Sequence, residues 1–106
     1  MTGPRIANYK LDNYIAAFAT FENYNGTITG RHYGQNYIVR HWGTDVLVYN
    51  MVAGRINGLA EDYISQTTST LVGRLLRNLP RQAVDAYLEH AVLEGNRKRL
   101  ARMVTR

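Results

Sequence analysis

Apolar positions change their spacing along this chain, and the change separates an extended region from a helical one. Between Thr27 and Met51 the pattern runs in short alternating stretches. Thr27–Tyr33, Tyr37–Trp42 and Val46–Met51 read as strands, with turn signals at Asn25-Gly26, Gly34-Gln35-Asn36 and Gly43-Thr44-Asp45. On the second strand Tyr37, Val39 and His41 share one face, and Ile38, Arg40 and Trp42 the other. The third, V-L-V-Y-N-M, is apolar on both faces, so it is expected in a central position buried on both sides. Ala53-Gly54 is a further break. Arg55–Tyr63 gives a short fourth strand, or a helical turn over Leu59–Tyr63. Strands joined by short turns make an antiparallel meander.

After Tyr63 the spacing becomes helical. Leu71, Val72, Leu75, Leu76 and Leu79 form one stripe, with Arg74 and Arg77 off it. Ser65, Thr67, Thr68 and Ser69 precede the stripe, and such hydroxyls favour turns and N-caps over helix interiors. The spacing predicts a helix of about 11 residues, closed by Pro80. The hydroxyls either cap this helix or, with its free N–H groups, offer an anion site; capping alone accounts for the residue types. Pro80 suits the first position of a second helix carrying Ala83, Val84, Tyr87, Leu88, Ala91 and Val92 on one face. Gly95-Asn96 reads as its C-cap. The tail beyond has a weak apolar face of Leu100, Met103 and Val104. At the other end, Met1–Lys10 shows little periodicity and reads as loose. Asn13 is expected to cap a short helix bearing Ile15, Phe18 and Ala19, with Phe21 nearby, although Tyr14 and Thr20 also suit a strand.

The expected fold is therefore α+β: a three- or four-stranded antiparallel meander with a short N-terminal helix and two or three C-terminal helices, the first of these packed on one sheet face. The 106 residues suffice for one domain with a modest core. Residues 1–95 are assigned to that domain and 96–106 to a basic C-terminal helix or tail. The surplus apolar surface of Ala83–Val92 points to a homodimer.

Charge changes this picture more than composition does. Apolar content is an ordinary 45%, and the net charge is +5. Residues 1–73 balance five basic against five acidic side chains, while residues 74–106 hold eight basic and three acidic ones. The whole excess lies in the last third, an asymmetry that suits an anionic partner or a solubilising helical face. The absence of cysteine removes disulfides, thiolate catalysis and Cys-based zinc sites, and fits a reducing compartment. No apolar run approaches the roughly 20 residues of a membrane span, and no signal-peptide pattern opens the chain, so a cytoplasmic protein with no membrane partner is expected. His32, His41 and His90 lack metal spacing, and no nucleophile elbow, phosphate loop or zinc-protease motif occurs. Asp45, Glu61 and Asp62 read as solvated turn residues. Neither enzyme activity nor a cofactor or metal is expected.

Four segments carry a resemblance: F-E-N-Y-N-G-T-I-T-G (Phe21–Gly30), G-x-x-Y-I-V-R-x-W-x-T (Gly34–Thr44), V-L-V-Y (Val46–Tyr49) and D-Y-I-S-Q-T-T-S (Asp62–Ser69). Together they resemble a family of small uncharacterised bacteriophage proteins, those of actinobacterial phages among them. That family commonly reads Y-x-V-x-S-Y-x-T in the middle and Y-S-x-T-T-S-x-H-Q before its helix. The likeness covers Phe21–Leu79, and T-T-S is its most specific part. Leu71-Val72 stand where the family often has His-Gln, and the Pro80–Leu93 helix and basic tail look like additions. The resemblance implies a phage origin, a bacterial host cytoplasm and a mixed α and β fold. It brings no activity and no catalytic residue. An arginine excess over lysine, eleven to two, fits a GC-rich genome.

Two functional expectations follow. The first is a phage-encoded accessory protein binding nucleic acid, DNA before RNA, through Arg74, Arg77, Arg81, Arg97, Lys98, Arg99 and Arg102. Such binding is salt-sensitive and weak in sequence preference. The second is a host-takeover protein that binds and inhibits a bacterial host protein through its helices. Deleting Arg97–Arg106 is expected to abolish the first activity, whereas the second is spared unless the basic tail itself docks on an acidic host protein. A structural oligomerising module is a third reading. Arg31, Tyr33, Tyr37, Arg40, His41 and Trp42 also interleave aromatic and basic groups, as single-strand-binding sheets do. Against that stands a core-facing Trp42 with ordinary edge tyrosines.

Overall fold

A computed structural model describes residues 4–60 and 66–93, with side chains described for 4–60 and 71–90. Its elements are β1 (Arg5–Ile6), a 3-10 turn (Asn8–Lys10), α1 (Leu11–Ala16), β2 (Phe21–Asn23), β3 (Ile28–Tyr33), β4 (Asn36–His41), β5 (Thr44–Asn50), β6 (Arg55–Leu59), α2 (Gln66–Asn78) and α3 (Arg81–Leu93). The fold is α+β. The sheet has six strands in sequence order, antiparallel throughout except for the parallel β1–β2 pair.

The sheet is thus wider than the expected three or four strands, and both additions lie near the N-terminus. Residues 5–6 are not loose: Arg5 and Ile6 lie beside Glu22 and Asn23. The Glu22 N–H donates to the Pro4 carbonyl (2.9 Å), and the Tyr24 N–H to that of Ile6 (3.2 Å). Strands this short carry no readable alternation; they form because β3 offers an edge to pair with.

Burial on β4 alternates without interruption. Tyr37, Val39 and His41 are buried and Ile38 and Arg40 are half-exposed, as the pattern predicts. Trp42 instead leaves the strand for the turn into β5. On β5 the expectation of burial on both faces is corrected. Val46 and Leu47 are consecutive buried residues because a bulge opposite Val39 and Arg40 inserts one extra residue, while Val48 and Asn50 stay half-exposed. Phe21, Ile28, Tyr37, Val39, Leu47, Tyr49 and Ile56 join the helices in one core.

Gly30 shows how tightly that inner face is filled. A Cβ there would overlap the Phe21 ring and lie 2.6 Å from the Tyr37 hydroxyl, so two aromatic side chains occupy its place. The Tyr37 hydroxyl donates to the Ala19 carbonyl at 2.8 Å, and burial pushes its pKa well above the ordinary value near 10.

α1 differs from the predicted helix. Asn13 lies inside it, the residue before it is Lys10, and no side chain caps it. Phe18 is not on its face but just past its end, at φ 52°. The left-handed residue lets the Ala19 N–H reach back to the Tyr14 carbonyl (2.9 Å), closing the helix. The Phe18 ring then packs on Tyr37 and Tyr49, at centroid distances of 5.4 and 4.7 Å.

α2 is longer than expected at 13 residues, so Thr67, Thr68 and Ser69 fall within its first turn rather than before it. Hydroxyl residues are tolerated there because the first N–H groups of a helix lack intrahelical partners. The predicted stripe holds: Leu71, Val72, Leu75, Leu76 and Leu79 are all buried. Pro80 immediately precedes α3, and its carbonyl accepts from the Val84 N–H at 3.1 Å. Ala83 and Val84 are buried, with Tyr87 and Leu88 half-buried against the core. Ser65, the Gly95-Asn96 cap and the basic segment 96–106 lie outside the described residues. Among the described residues no helix is long and apolar enough to cross a membrane.

Candidate nucleic-acid interface

Of the seven basic residues singled out from the sequence, three lie among those described, and the fold uses them differently. Arg74 turns inward. Its Nε donates to Oδ1 of Asp12 at 2.9 Å and its Nη2 to the Asn8 carbonyl at 2.8 Å. It ties α2 to the segment before α1, with only 21% of its side chain exposed. Arg77, one turn on, is exposed. Arg81 opens α3 with an 80% exposed side chain, paired to Asp85 at 3.2 Å across one helical turn. Exposed pairs of this kind are worth at most about 1 kcal/mol, so a stronger anion can displace Asp85. Between them α2 stops at Asn78, whose Nδ2 donates to the Arg74 carbonyl (2.8 Å). Arg77 and Arg81 thus flank the corner between the helices, while Arg97, Lys98, Arg99 and Arg102 lie outside the described residues.

The aromatic and basic residues of β3 and β4 are also sorted. Tyr37 and His41 are buried, which removes both from any stacking surface. Arg31, Tyr33 and Arg40 lie on the opposite face. There the Arg40 guanidinium sits 4.9 Å from the centre of the Tyr33 ring, and its Nη1 donates to the Tyr33 hydroxyl at 3.2 Å. That contact spans the Arg31–Ile38 register pair. Nε of Arg31 and Oδ1 of Asn36, on the same face, are buried without hydrogen-bond partners. Arg40 is further held by Asp45 at 2.6 Å, whose hydrogen bond raises its pKa.

Trp42 corrects the expectation of a core-facing indole: it is 75% exposed. The reason is the turn. Trp42 and Gly43 are the two residues between β4 and β5, with φ 55° and 76°, the double positive φ of a type I′ hairpin. Strand alternation therefore stops at His41, one residue before the predicted end, because Gly43 takes the second turn position.

No group of three or more metal-binding side chains occurs among the described residues. A cavity of about 490 Å³ opens between β6 and α3, lined in part by Arg55, Ile56, Ala83, Ala86, Tyr87 and His90. No family model matches the chain, nor does any curated protein or solved structure.

Proposed function

We infer that this protein is a small, phage-encoded accessory protein that binds nucleic acid through its basic C-terminal third. The observation that carries this is the segregation of charge: the entire +5 excess falls in residues 74–106. Two of its arginines, Arg77 and Arg81, stand exposed at the α2–α3 corner, where phosphates can approach. Arg74 supports the site indirectly, by fixing α2 against the N-terminal segment. Arg97, Lys98, Arg99 and Arg102 supply the other phosphate contacts. The expected ligand is DNA before RNA, held with weak sequence preference.

The test is binding of a labelled oligonucleotide across a salt series, by native protein and by a full-length variant with Arg97, Lys98, Arg99 and Arg102 all changed to Gln. Steep salt dependence that flattens in the variant supports this function; no binding at low salt refutes it.

The β6–α3 cavity favours a second reading, a host-takeover protein that seats a bacterial partner's side chain beside the sheet edge. In that case a defined protein retained from host lysate survives nuclease treatment, and the four-Gln variant still retains it.

A further inference from the structure

The three most exposed aromatic side chains among those described are Tyr9, Trp42 and Tyr24, at 78%, 75% and 65%. They are far apart in sequence, yet the fold gathers their backbones at one end of the sheet. The link is a polar knot around Asn23, which is 1% exposed. Nδ2 of Asn23 donates to Oδ1 of Asn8 (3.3 Å) and Oγ1 of Thr27 (3.0 Å), while its Oδ1 accepts from the Ile28 N–H (3.0 Å). The Thr27 carbonyl in turn accepts from the Trp42 N–H at 2.8 Å. Asn8 precedes Tyr9, and Tyr24 follows Asn23, so these hydrogen bonds tie the backbone beside all three aromatic residues to the same end of the sheet.

Trp42 is the informative member. A bulky residue at φ 55° is strained, and Asn or Gly would suit the first position of this turn better. The chain holds an indole in an unfavourable backbone state and leaves it in water, where it contributes little to the core. Strain of this kind clusters at ligand-contacting sites. The surroundings are not anionic. Glu22 pairs with Arg5 (3.7 Å), Asp45 with Arg40 (2.6 Å) and Asp12 with Arg74 (2.9 Å), while Lys10 lies 5.9 Å from the Tyr9 ring centre. Aromatic faces beside arginine and lysine are what unpaired bases and their phosphates require.

We propose that Tyr9, Tyr24 and Trp42 form a stacking rim for the unpaired bases of a single-stranded nucleic acid. This rests on the nucleic-acid function above and specifies the strand state of its ligand. Duplex DNA keeps its base faces stacked inside the helix and cannot use the rim, so single strands bind more tightly than duplex of the same sequence.

Trp42 is the only tryptophan, so its emission reports on the rim directly. The experiment titrates a thymidine 16-mer and a 16-base-pair duplex into full-length protein, following both Trp42 emission and anisotropy of the labelled nucleic acid. Quenching by the single strand, with tighter binding than to duplex, is expected. Trp42→Ala and Tyr24→Ala should each weaken single-strand binding about 5- to 150-fold while leaving duplex binding unchanged. Trp42→Asn is the discriminating variant: it suits the turn, so thermal stability should hold or rise while single-strand affinity falls. If single strand and duplex bind equally, without quenching and without loss in these variants, the rim is refuted and the nucleic-acid function survives. If neither ligand binds at low salt, both are refuted.

Discussion

The sheet and the C-terminal helices divide two kinds of surface between them. The sheet region, from β1 to β6, buries Phe21, Tyr37 and Tyr49 but leaves Tyr9, Tyr24, Tyr33 and Trp42 exposed, and the carboxylates of Asp12, Glu22 and Asp45 are each matched by an arginine. In the helical region the one described aromatic side chain, Tyr87, is half-buried, and the charge excess belongs to that third of the chain. The exposed aromatic side chains and the surplus of basic charge therefore reside on different elements. Arg74 joins the regions, reaching from α2 to Asp12 and to the carbonyl of Asn8, the residue before Tyr9.

The sheet side is broken most severely at Gly30. Gly30→Ala drives a methyl into Phe21 and Tyr37, so a loss of about 1–3 kcal/mol or more is expected. Thermal unfolding should show a fall of roughly 4–8 °C for each kcal/mol.

The joint comes next. Arg74→Ala leaves Asp12 and the Asn8 carbonyl without their donor, but both acceptors remain open to water, so a cost of about 1 kcal/mol is expected by denaturant unfolding. Because Arg74 is not assigned a phosphate contact, the salt slope of oligonucleotide binding should not change. A flattened slope with undiminished stability would place Arg74 on the ligand instead.

Tyr37 gives the sheet a pH signature. Its folded-state pKa is raised, so the folded state holds the phenolic proton more tightly than the unfolded chain does. The stabilisation is complete below the ordinary value near 10 and is lost as pH rises through the folded value, by up to about 1.4 kcal/mol per pH unit. Tyr37→Phe should flatten stability between pH 10 and 12, at the cost of the hydrogen bond to Ala19.

The helical side is the least sensitive in stability. Arg81→Ala removes only an exposed pair with Asp85, so a change within about 0.5 kcal/mol is expected. Arg77→Ala and Arg81→Ala should each reduce the salt slope of binding by about one phosphate contact.

The parts of this division that sequence reveals are those set by local periodicity. The α2 stripe from Leu71 to Leu79, the alternation on β4 and the Gly26, Gly34 and Gly54 turns are written in residue type and spacing. What escapes is set by partners distant in sequence. Arg5 and Ile6 become a strand only beside Glu22 and Asn23. Val46 turns inward only because a bulge shifts the register against β4. Arg74 looks like its neighbour Arg77 on a helical wheel; only the folded chain puts Asp12 and Asn8 within its reach. Trp42 does carry a local signal: a residue followed by Gly between two strands suits a two-residue hairpin turn. Asn8, Thr27 and the Ile28 N–H meet on the buried Asn23 side chain, at the end of the sheet that carries Tyr9, Tyr24 and Trp42, and no spacing rule foreshadows that knot.

The most direct test of the central claim is the salt dependence of single-strand binding by the full-length protein. Six basic residues, Arg77, Arg81, Arg97, Lys98, Arg99 and Arg102, are assigned phosphate contacts, so log K should fall against log salt with a slope of about −4. A slope near zero, or no binding at low salt, would contradict the account, because charge confined to residues 74–106 would then serve something other than phosphates.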